Sequence, residues 1–453
     1  DPARRTEVLE RIGAAYRHEA VERVPVLIGD VNYWITGEDP ALIPGDYFDE
    51  GAYATQLDFQ TGKMATHLAG LPDDAYLPFL FPWYGTGVVP SAIGCPVLFQ
   101  AGEEPAVEGA AIDDPSAVAR LQPPDPERDG LMPRVLACID HFRSNSDLPV
   151  SFTDNQGPLN IALNLVGLER LFIWMFEQPT AVHELMDFCT SVLIDWVRLQ
   201  KERAGVGLDE GAYPHMIAIP PGFGGVWLSD DDSTQLSPEL YREFVVPYNG
   251  RVFEAFGGGT LHYCGNGRHQ LENYLATPGL VGLNVWCMGE FEQVFEAQRI
   301  VGQRAAIMVC DYTPTDLEGY FGDLFAGLDP RGAIVATYPS AVTALEYGTG
   351  QVRPVQIRPG IQPVFFVPRI FGHGPKGFDI SIEIAKFDCR HAIFISCLGV
   401  DLEAFVLVFV IYEYWPAKSF SDRRHHHRTR RRKNRIDQTQ ESAARLGPAG
   451  WLC

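Results

Sequence analysis

Apolar residues along the chain follow two patterns that alternate as far as about residue 340. Residues 6–23 repeat apolar side chains every three or four positions, which predicts a helix, whereas residues 24–28 form a continuous apolar run that predicts a buried strand. Seven further runs of this kind are separated by helical segments or loops. The predicted strands are 24–30, 75–81, 148–154, 215–219, 261–263, 280–286, 306–310 and 333–337. Eight strands alternating with helices favour an α/β fold of the (β/α)8 TIM-barrel type over a doubly wound sheet.

Two regions depart from this alternation. Residues 85–130 are rich in Gly, Pro and acidic residues, and we expect an insertion with short strands after the second barrel strand. After about residue 350 the helical spacing stops. We therefore assign the barrel to residues 1–350 and an irregular C-terminal extension to residues 351–453, which ends in a basic tail at 418–453.

The basic tail contains residues 421–435, where arginines and histidines follow one another with almost no apolar side chain. Such low complexity predicts disorder. One interpretation is a tail that binds nucleic acid. The other, which we favour, is an altered reading frame or an assembly artefact that replaces the natural end of the protein.

The charge of the chain is unevenly distributed. Its formal net charge is −22, but from Lys418 onward ten Lys/Arg and three Asp/Glu give the tail a net charge of +7. The first 417 residues therefore carry a net charge of −29. So acidic a body disfavours contact with nucleic acid and with anionic membrane surfaces.

Cysteine usage and hydropathy bear on the cellular compartment. The nine cysteines are scattered through a long chain, which is not the pattern of a disulfide framework and is typical of a reducing cytoplasm. No apolar run reaches the ~20 residues that a membrane-spanning helix needs. We therefore expect a cytoplasmic protein with no membrane segment.

The segment 259–266 carries the most informative pair of side chains. Residues 260–264 predict a short strand, and because successive side chains of a strand point to opposite faces, His262 and Cys264 share one face. They lie near the C-terminal end of that strand, where barrels of this type carry their chemistry. An imidazole and a thiol so placed can bind one zinc ion. The alternative is a buried histidine and a buried cysteine without metal.

Other polar and aromatic residues also follow predicted strands. Asp30 and Asp154 are acid/base candidates at such positions. The run Ser229–Ser233 contains three consecutive aspartates ahead of a helix that begins at Ser237; a site role and a solvated acidic loop are both open. Candidates for substrate binding are Asn32, Trp83, Asn155, Asn266 and Trp286.

Three segments resemble the uroporphyrinogen decarboxylase superfamily. They are Gly157-Pro-Leu-Asn-Ile-Ala-Leu-Asn164 with Val166-Gly167, Leu228–Tyr248, and Leu261-His-Tyr-Cys-Gly-Asn266. The resemblance extends over roughly residues 5–340 and implies a (β/α)8 barrel, in agreement with the strand count. The superfamily includes the haem-pathway decarboxylases and the zinc methyltransferases that act on methylated corrinoids, such as methylcobamide:coenzyme M methyltransferase.

The decarboxylase branch is disfavoured at the positions that matter to it. True decarboxylases carry an Arg-Gln-Ala-Gly-Arg-Tyr signature after the first strand, whereas this chain reads Gly29-Asp-Val-Asn-Tyr-Trp34, without arginine. Trp83 stands where they place an Asp against the pyrrole nitrogens, and Asn164 stands at the place of their tyrosine. An acidic barrel without that arginine is a poor receptor for a substrate with eight carboxylates.

The methyltransferase branch carries His-x-Cys on the fifth strand, so the resemblance implies that His262 and Cys264 are zinc ligands. The family has a further Cys on the eighth strand, but residues 333–338 contain none. Cys310, on the seventh strand, is the candidate for the third ligand, and Glu290 is a weaker one. Cys310 is equally well explained as a small core residue. An altered reading frame would also account for the missing ligand.

The resemblance implies a zinc-dependent methyltransferase that moves a methyl group between a corrinoid and a thiol. Zinc would be the cofactor, a methylated corrinoid the co-substrate, and a small-molecule thiol, a corrinoid or a corrinoid protein the partner. Asp30 or Asp154 would orient His262 or receive the thiol proton. A decarboxylase-type lyase of porphyrin biosynthesis is one alternative. A non-catalytic barrel is the other, with a small apolar ligand held among Trp34, Trp83, Tyr84 and Trp286.

Overall fold

The computed structural model describes residues 2–28, 44–70, 74, 79–100, 105–153, 155–213, 217–287, 289–313, 316–339, 392–396 and 408–412. The helices in these residues are α1 (Pro2–Tyr16), α2 (Tyr53–Gly70), α3 (Val88–Ala92), α4 (Met132–Asn145), α5 (Pro158–Val166), α6 (Leu168–Glu177), α7 (Pro179–Ala204), α8 (Pro238–Phe244), α9 (Val246–Ala255), α10 (Leu271–Ala276), α11 (Phe291–Val301) and α12 (Leu317–Gly327). The strands are β1 (Val26–Ile28), β2 (Val97–Leu98), β3 (Ala106–Val107), β4 (Gly211–Tyr213), β5 (Ile217–Ile219), β6 (Val226–Ser229), β7 (Gly259–Cys264), β8 (Leu280–Trp286), β9 (Ala306–Thr313), β10 (Ala333–Pro339), β11 (Ala392–Ser396) and β12 (Val408–Tyr412).

Six parallel strands form the central sheet, in the order β1-β10-β9-β8-β7-β6. Two isolated parallel bridges mark further strand positions: Leu80 pairs with Val150, and Gln156 pairs with Ser229 at the end of β6. Helices connect successive strands, as parallel pairing requires. The predicted α/β barrel fold is confirmed.

The strands of this sheet are continuous apolar runs because both of their faces are covered. Leu261 of β7, Val285 of β8 and Val309 of β9 are all at most 1% exposed. Strands buried on both faces contain apolar residues at every position rather than at alternate ones. The same burial leaves few polar side chains inside the sheet, so each of them calls for an explanation.

The prediction for the fourth barrel strand was wrong. The apolar run that ends at Ile219 forms β5, which pairs antiparallel with β4 outside the barrel sheet. The fourth barrel strand is β6, which pairs in parallel with β7. Just before β6, Gly224 has a φ of +89° and packs so closely on Gly258 that a Cβ atom would lie 2.4 Å from the Gly258 carbonyl carbon. This shift places the run of three aspartates directly after a barrel strand.

The insertion after the second barrel strand has the expected short elements. It contains the helix α3, the antiparallel pair of β2 and β3, and a 3-10 helix at Pro115–Arg120. The predicted start of a helix at Ser237 is also correct. The hydroxyl of Ser237 accepts a hydrogen bond from the Leu240 N–H, and Pro238 occupies the first helical position.

No single helix in the described ranges is both long and apolar enough to cross a membrane; only the bent pair α5 and α6, with 103° between its halves, meets that test by length and composition. The chain divides into two compact units: Asp1–Ile370 with Leu452–Cys453, and Phe371–Trp451. In the second unit the described residues are β11 and β12, which pair antiparallel. The predicted boundary near residue 350 and the predicted disorder of the basic tail lie outside the described residues.

Candidate metal centre

Two potential metal ligands lie side by side on β7. His262 is 2% exposed and Cys264 is 8% exposed. Their side chains lie on the same face of the strand, as the two-residue spacing predicts. The Sγ atom of Cys264 is 3.3 Å from the Nε2 atom of His262. A buried imidazole nitrogen and a buried sulfur at this distance present two ligand atoms to one point.

A third ligand atom comes from Asp231, in the 3-10 turn that follows β6. Ser229, the last residue of β6, pairs with His262, and the N–H of Asp230 donates to the carbonyl oxygen of His262 at 2.9 Å. These contacts bring the Asp231 carboxylate to the imidazole, with Oδ1 3.3 Å from Nε2. The ligand atoms of Asp231, His262 and Cys264 all lie within 4.8 Å of one another.

The two separations measured from Nε2 of His262 fit a zinc ion. Zinc–nitrogen and zinc–oxygen bonds of ~2.0–2.2 Å and zinc–sulfur bonds of ~2.3 Å, at tetrahedral angles, place neighbouring ligand atoms ~3.3–3.7 Å apart. Both separations measured from Nε2 of His262 are 3.3 Å. A set of one His, one Cys and one Asp also leaves a fourth tetrahedral position open, as in catalytic zinc sites.

Asn284 fixes the orientation of the imidazole. It pairs with His262 in the register of β7 and β8, and its Oδ1 atom is hydrogen-bonded to Nδ1 of His262. Because an amide oxygen only accepts, Nδ1 carries the hydrogen and Nε2 keeps its lone pair for the ligand group. The amide nitrogen of Asn284 donates to the Sγ atom of Cys310 at 2.7 Å. Asn284 thus links the histidine to the predicted third ligand.

Cys310 lies on β9, two strands away from β7. Cys264 pairs with Trp286 and Trp286 pairs with Cys310, so the three side chains point to the same face of the sheet. Burial raises the pKa of the Cys310 thiol to about 12. Within the described residues, Asp231 and not Cys310 completes the group of potential ligands. The role of Cys310 as a ligand stays a prediction.

Two indole rings enclose the imidazole. Trp227 of β6 stacks on His262 with 5.6 Å between ring centroids, and Trp286 meets it edge-on at 6.4 Å. Apolar rings around a charged site lower the local dielectric constant, so the attraction between a metal ion and its carboxylate or thiolate ligands is less screened. A charged ligand group beside these rings is therefore stable only when a counter-ion is present.

Asp230, next to the candidate ligand Asp231, is fully buried. Its Oδ2 atom accepts from the hydroxyl of Tyr241 at 2.5 Å and from the amide of Asn249 at 3.0 Å, while Oδ1 has no hydrogen-bond partner. Burial raises the pKa of Asp230 to about 7, against the lowering effect of these two donors.

A second buried carboxylate, Asp311, ends the apolar part of β9. Its Oδ2 atom accepts from the Gly289 N–H at 2.7 Å, the Tyr320 hydroxyl at 2.8 Å and the Cys287 thiol at 3.3 Å. Burial, followed by the negative charge of Asp311, raises the pKa of Cys287 well above its ordinary value. This carboxylate is bonded to three donors and positions the loop after β8.

The other predicted site residues are spread around this end of the barrel. Asn155 is 2% exposed, and neither atom of its side-chain amide has a hydrogen-bond partner. Trp83 packs on Phe81 with 5.3 Å between ring centroids. Asn266 is exposed and donates to the carboxylate of Glu290 at 3.4 Å. Three predicted residues lie outside the described part of the chain: Asp30, Asn32 and Asp154.

Asp231 and Asn284 were not among the predicted site residues. Asp231 lies in the acidic run 229–233, for which a site role and a solvated loop had both been open; its partial burial next to His262 now favours the site role. For Asn284 the signal was a polar side chain in the middle of the apolar run 280–286. A fully buried polar residue needs a partner, and here that partner is the imidazole.

The chain is similar to proteins of two activities. Residues 8–209 match the family model of uroporphyrinogen decarboxylase (URO-D). A methylated-thiol–coenzyme M methyltransferase from Methanosarcina mazei is 27% identical over 188 residues, which are 41% of this chain and 46% of that protein. A uroporphyrinogen decarboxylase from Xylella fastidiosa is 26% identical over 233 residues, 48% of this chain and 59% of that protein. The chain thus spans about half the length of these curated relatives.

A solved structure of a methyltransferase from Methanosarcina mazei has the same fold. It superposes with a TM-score of 0.54 at 17% sequence identity, over 73% of this chain and 92% of that chain. At this identity the likeness establishes the barrel fold alone. The match to the family model ends at residue 209, before the segments that carry the three potential ligands.

Proposed function

The chain carries a uroporphyrinogen decarboxylase family region at residues 8–209, and from this premise we propose that it is a zinc-dependent methyltransferase. It moves a methyl group between a corrinoid and a small-molecule thiol. The observation that supports this proposal above others is the convergence of Asp231, His262 and Cys264 on one point at the C-terminal end of the barrel sheet. The methyltransferase relative from Methanosarcina mazei, which is named for a methylated thiol, supports a thiol as the partner of the methyl group.

In this proposal, His262, Cys264 and Asp231 hold the zinc ion. A bound zinc would lower the pKa of a thiol that enters its open position, so that the thiol is deprotonated near neutral pH. Asn284 keeps Nε2 of His262 directed at the ion through its hydrogen bond to Nδ1. Trp227 and Trp286 limit the access of water to the imidazole.

The proton that the thiol loses needs an acceptor. Asp30 and Asp154 keep their predicted role as carboxylates that receive it. Their other predicted role, to orient His262, is performed by Asn284 among the described residues. Cys310 is retained as an alternative third ligand, since it faces the same side of the sheet as Cys264.

Metal analysis and a methyl-transfer assay test the proposal together. We expect the purified protein to contain about one zinc per chain and to demethylate methylcobalamin with a thiol acceptor. Cys264→Ala should lose zinc and at least ~100-fold in rate, because it removes the thiolate ligand, while thermal unfolding shows a folded protein. Cys189→Ala, at a buried cysteine of α7, is the matched control and should retain both zinc and activity.

Two further variants identify the third ligand. If Asp231 binds zinc, Asp231→Ala lowers zinc affinity and Cys310→Ala leaves it unchanged; the reverse result assigns Cys310. The alternative of a non-catalytic binding barrel would be supported by two results together. The protein would contain no zinc, and its His262→Ala variant would bind small apolar molecules as the wild type does. Release of carbon dioxide from uroporphyrinogen, without zinc, would support the decarboxylase alternative.

A further inference from the structure

The candidate metal centre lies in strongly acidic surroundings. The described residues that follow β6, β7 and β8, or that lie at and after the end of β9, are 230–237, 265–270, 287, 289–290, 311–313 and 316. Besides Asp231, whose charge a bound zinc ion would offset, they contain five Asp or Glu residues and one Arg. These segments belong to one end of the parallel sheet, the end that carries His262 and Cys264. Negative charge around a cleft raises the local concentration of cationic ligands and lowers that of anionic ones.

The single arginine of these segments does not offset this charge. Arg268 is exposed, and its guanidinium pairs with the carboxylate of Glu296 on α11. A sulfonate or carboxylate in this site therefore meets no cation in these segments that is not already paired.

Aromatic rings at the same end of the sheet are suited to a cation. Trp286 lies beside His262 in a T-shaped pair with 6.4 Å between ring centroids, and 8% of its surface is exposed. The face of an indole ring attracts ammonium groups within about 6 Å of its centroid. Asn155 adds a buried amide without a hydrogen-bond partner, which can accept from a ligand N–H.

We propose that the thiol substrate of this site carries a cationic group close to its sulfur, as an aminothiol does, and that anionic thiols are disfavoured. This inference rests on the proposed function and narrows it. It separates this protein from its Methanosarcina relative, whose name gives coenzyme M, which is 2-mercaptoethanesulfonate, as a substrate. The acidic strand ends supply the discrimination by repelling the sulfonate and attracting the ammonium group.

Methyl transfer to an aminothiol needs no oxidant or reductant besides the methylated corrinoid. The thiol loses its proton to a carboxylate or to water, and its sulfur attacks the methyl carbon of a methylated corrinoid. The cobalt–carbon bond breaks as the sulfur–carbon bond forms, and the electron pair stays on cobalt, which leaves as Co(I). The products are the methyl thioether of the aminothiol and the reduced corrinoid.

Three thiols with the same two-carbon chain and terminal groups of different charge test the proposal: 2-aminoethanethiol, 2-mercaptoethanol and 2-mercaptoethanesulfonate. Binding of their S-methyl thioethers is measured first, by calorimetry, because a thioether has no thiol proton whose pKa differs across the series. At low ionic strength we expect the aminothioether to bind about tenfold or more tightly than the sulfonate, with the alcohol between them. In 1 M salt, where the Debye length is ~3 Å, the three affinities should converge.

Charge-neutralising variants locate the discrimination. Asp232→Asn with Glu290→Gln removes two of the acidic groups and should reduce the preference for the aminothioether about threefold or more. Glu254→Gln removes an exposed carboxylate at the C-terminal end of α9, next to the opposite end of the strands, and should leave the preference unchanged. Tighter binding of the sulfonate, or a preference that neither salt nor the double variant alters, would overturn the proposal.

The binding measurements test the charge selection, and the turnover assay tests the methyltransferase proposal, so either proposal can be wrong without the other. If all three thiols accept methyl groups and the sulfonate is both the tightest ligand and the fastest acceptor, the charge selection is wrong and the methyltransferase proposal stands. If no thiol is methylated and no zinc is bound, the methyltransferase proposal fails. The affinities of the thioethers then still decide whether the acidic end selects cations.

Discussion

Two fully buried aspartates lie at opposite ends of the barrel strands and have opposite surroundings. Asp74 accepts at 2.9 Å from the N–H of Val26, the first residue of β1, and pairs with the guanidinium groups of Arg11 and Arg23. Asp230, just past the end of β6, has only the neutral donors Tyr241 and Asn249. No Lys or Arg in the described part of the chain forms an ion pair with Asp230, whose neighbours Asp231 and Asp232 are also acidic.

The difference separates a buried carboxylate with counter-charges from one without them. A buried charge is tolerated when a counter-charge and hydrogen bonds compensate it, as Arg11 and Arg23 do for Asp74. An acidic group left without a counter-charge is costly to the fold, and such strain is typical of sites where a ligand or metal supplies the missing charge. Asp74 thus has its counter-charges within the chain, whereas Asp230 has none among the described residues, as the proposed cation-binding role of the C-terminal end requires.

The substitution Asp74→Asn should have the largest effect on stability. The amide still accepts from Val26 N–H, but it leaves two largely buried guanidinium groups without their partner. Breaking a buried ion pair from one side costs about 3–5 kcal/mol. Urea unfolding measures the loss, with Glu19→Gln as control, since that exposed pair with Arg17 should leave the free energy of unfolding unchanged. A loss below ~1 kcal/mol would mean that the arginines find other partners.

The buried charge of Lys201 offers a second test, in which the free energy of unfolding is measured as a function of pH. It is fully buried near the end of α7, where its ammonium group donates to the carbonyl oxygens of Gly207 and Glu210. Burial lowers its pKa to about 8 from 10.5. Between these values the unfolded chain still binds a proton that the folded protein has lost, so stability rises with pH by an amount on the order of 3 kcal/mol.

Urea unfolding at pH 7.5 and pH 9.5 measures this contribution. In the wild type, stability relative to Lys201→Met should rise by ~2 kcal/mol over that interval, because each pH unit contributes ~1.4 kcal/mol. Lys63→Met, on α2, is the control and should follow the wild type. Parallel pH dependence of wild type and Lys201→Met would show that the buried lysine keeps its proton.

At the C-terminal end, Asn284 should affect the metal rather than the fold. Asn284→Ala removes the acceptor for Nδ1 of His262, and losses of this kind lower metal affinity ~10–100-fold. Asn284→Asp keeps an acceptor in place and should remain close to the wild type. Competition with a chelator measures zinc affinity. An unchanged affinity in Asn284→Ala would show that the surrounding indole rings alone orient the imidazole.

The matched substitution Asp230→Asn should cause the smallest loss of stability. It leaves no cation unpaired, and the amide oxygen can accept from Tyr241 as the carboxylate does. We expect a loss below about 1 kcal/mol, or a gain, under the conditions used for Asp74→Asn, because burial without a counter-charge raises the pKa of Asp230 to about 7. A loss equal to that of Asp74→Asn would mean that Asp230 has a counter-charge and would remove the contrast between the two ends.

Local patterns in the sequence determined a large part of this protein. The alternation of apolar runs and helical spacing was enough for the barrel, because both faces of a central strand are buried whatever its neighbours are. The two-residue period of a strand likewise put His262 and Cys264 on one face. The helix start at Ser237 follows from a hydroxyl and a proline that act within one turn. Each of these inferences depends on residues close together in the chain.

Tertiary structure alone decided which residues complete the site. Parallel strands are joined by long crossovers, so their lateral register is set by packing of the whole sheet and not by the short segments themselves. That register placed Asn284 beside His262 and kept Cys310 two strands away from β7. It also made β6, rather than the run ending at Ile219, the neighbour of β7, and so brought Asp231 to the imidazole. The run ending at Ile219 has an antiparallel partner a few residues upstream, and that local pairing removed it from the barrel.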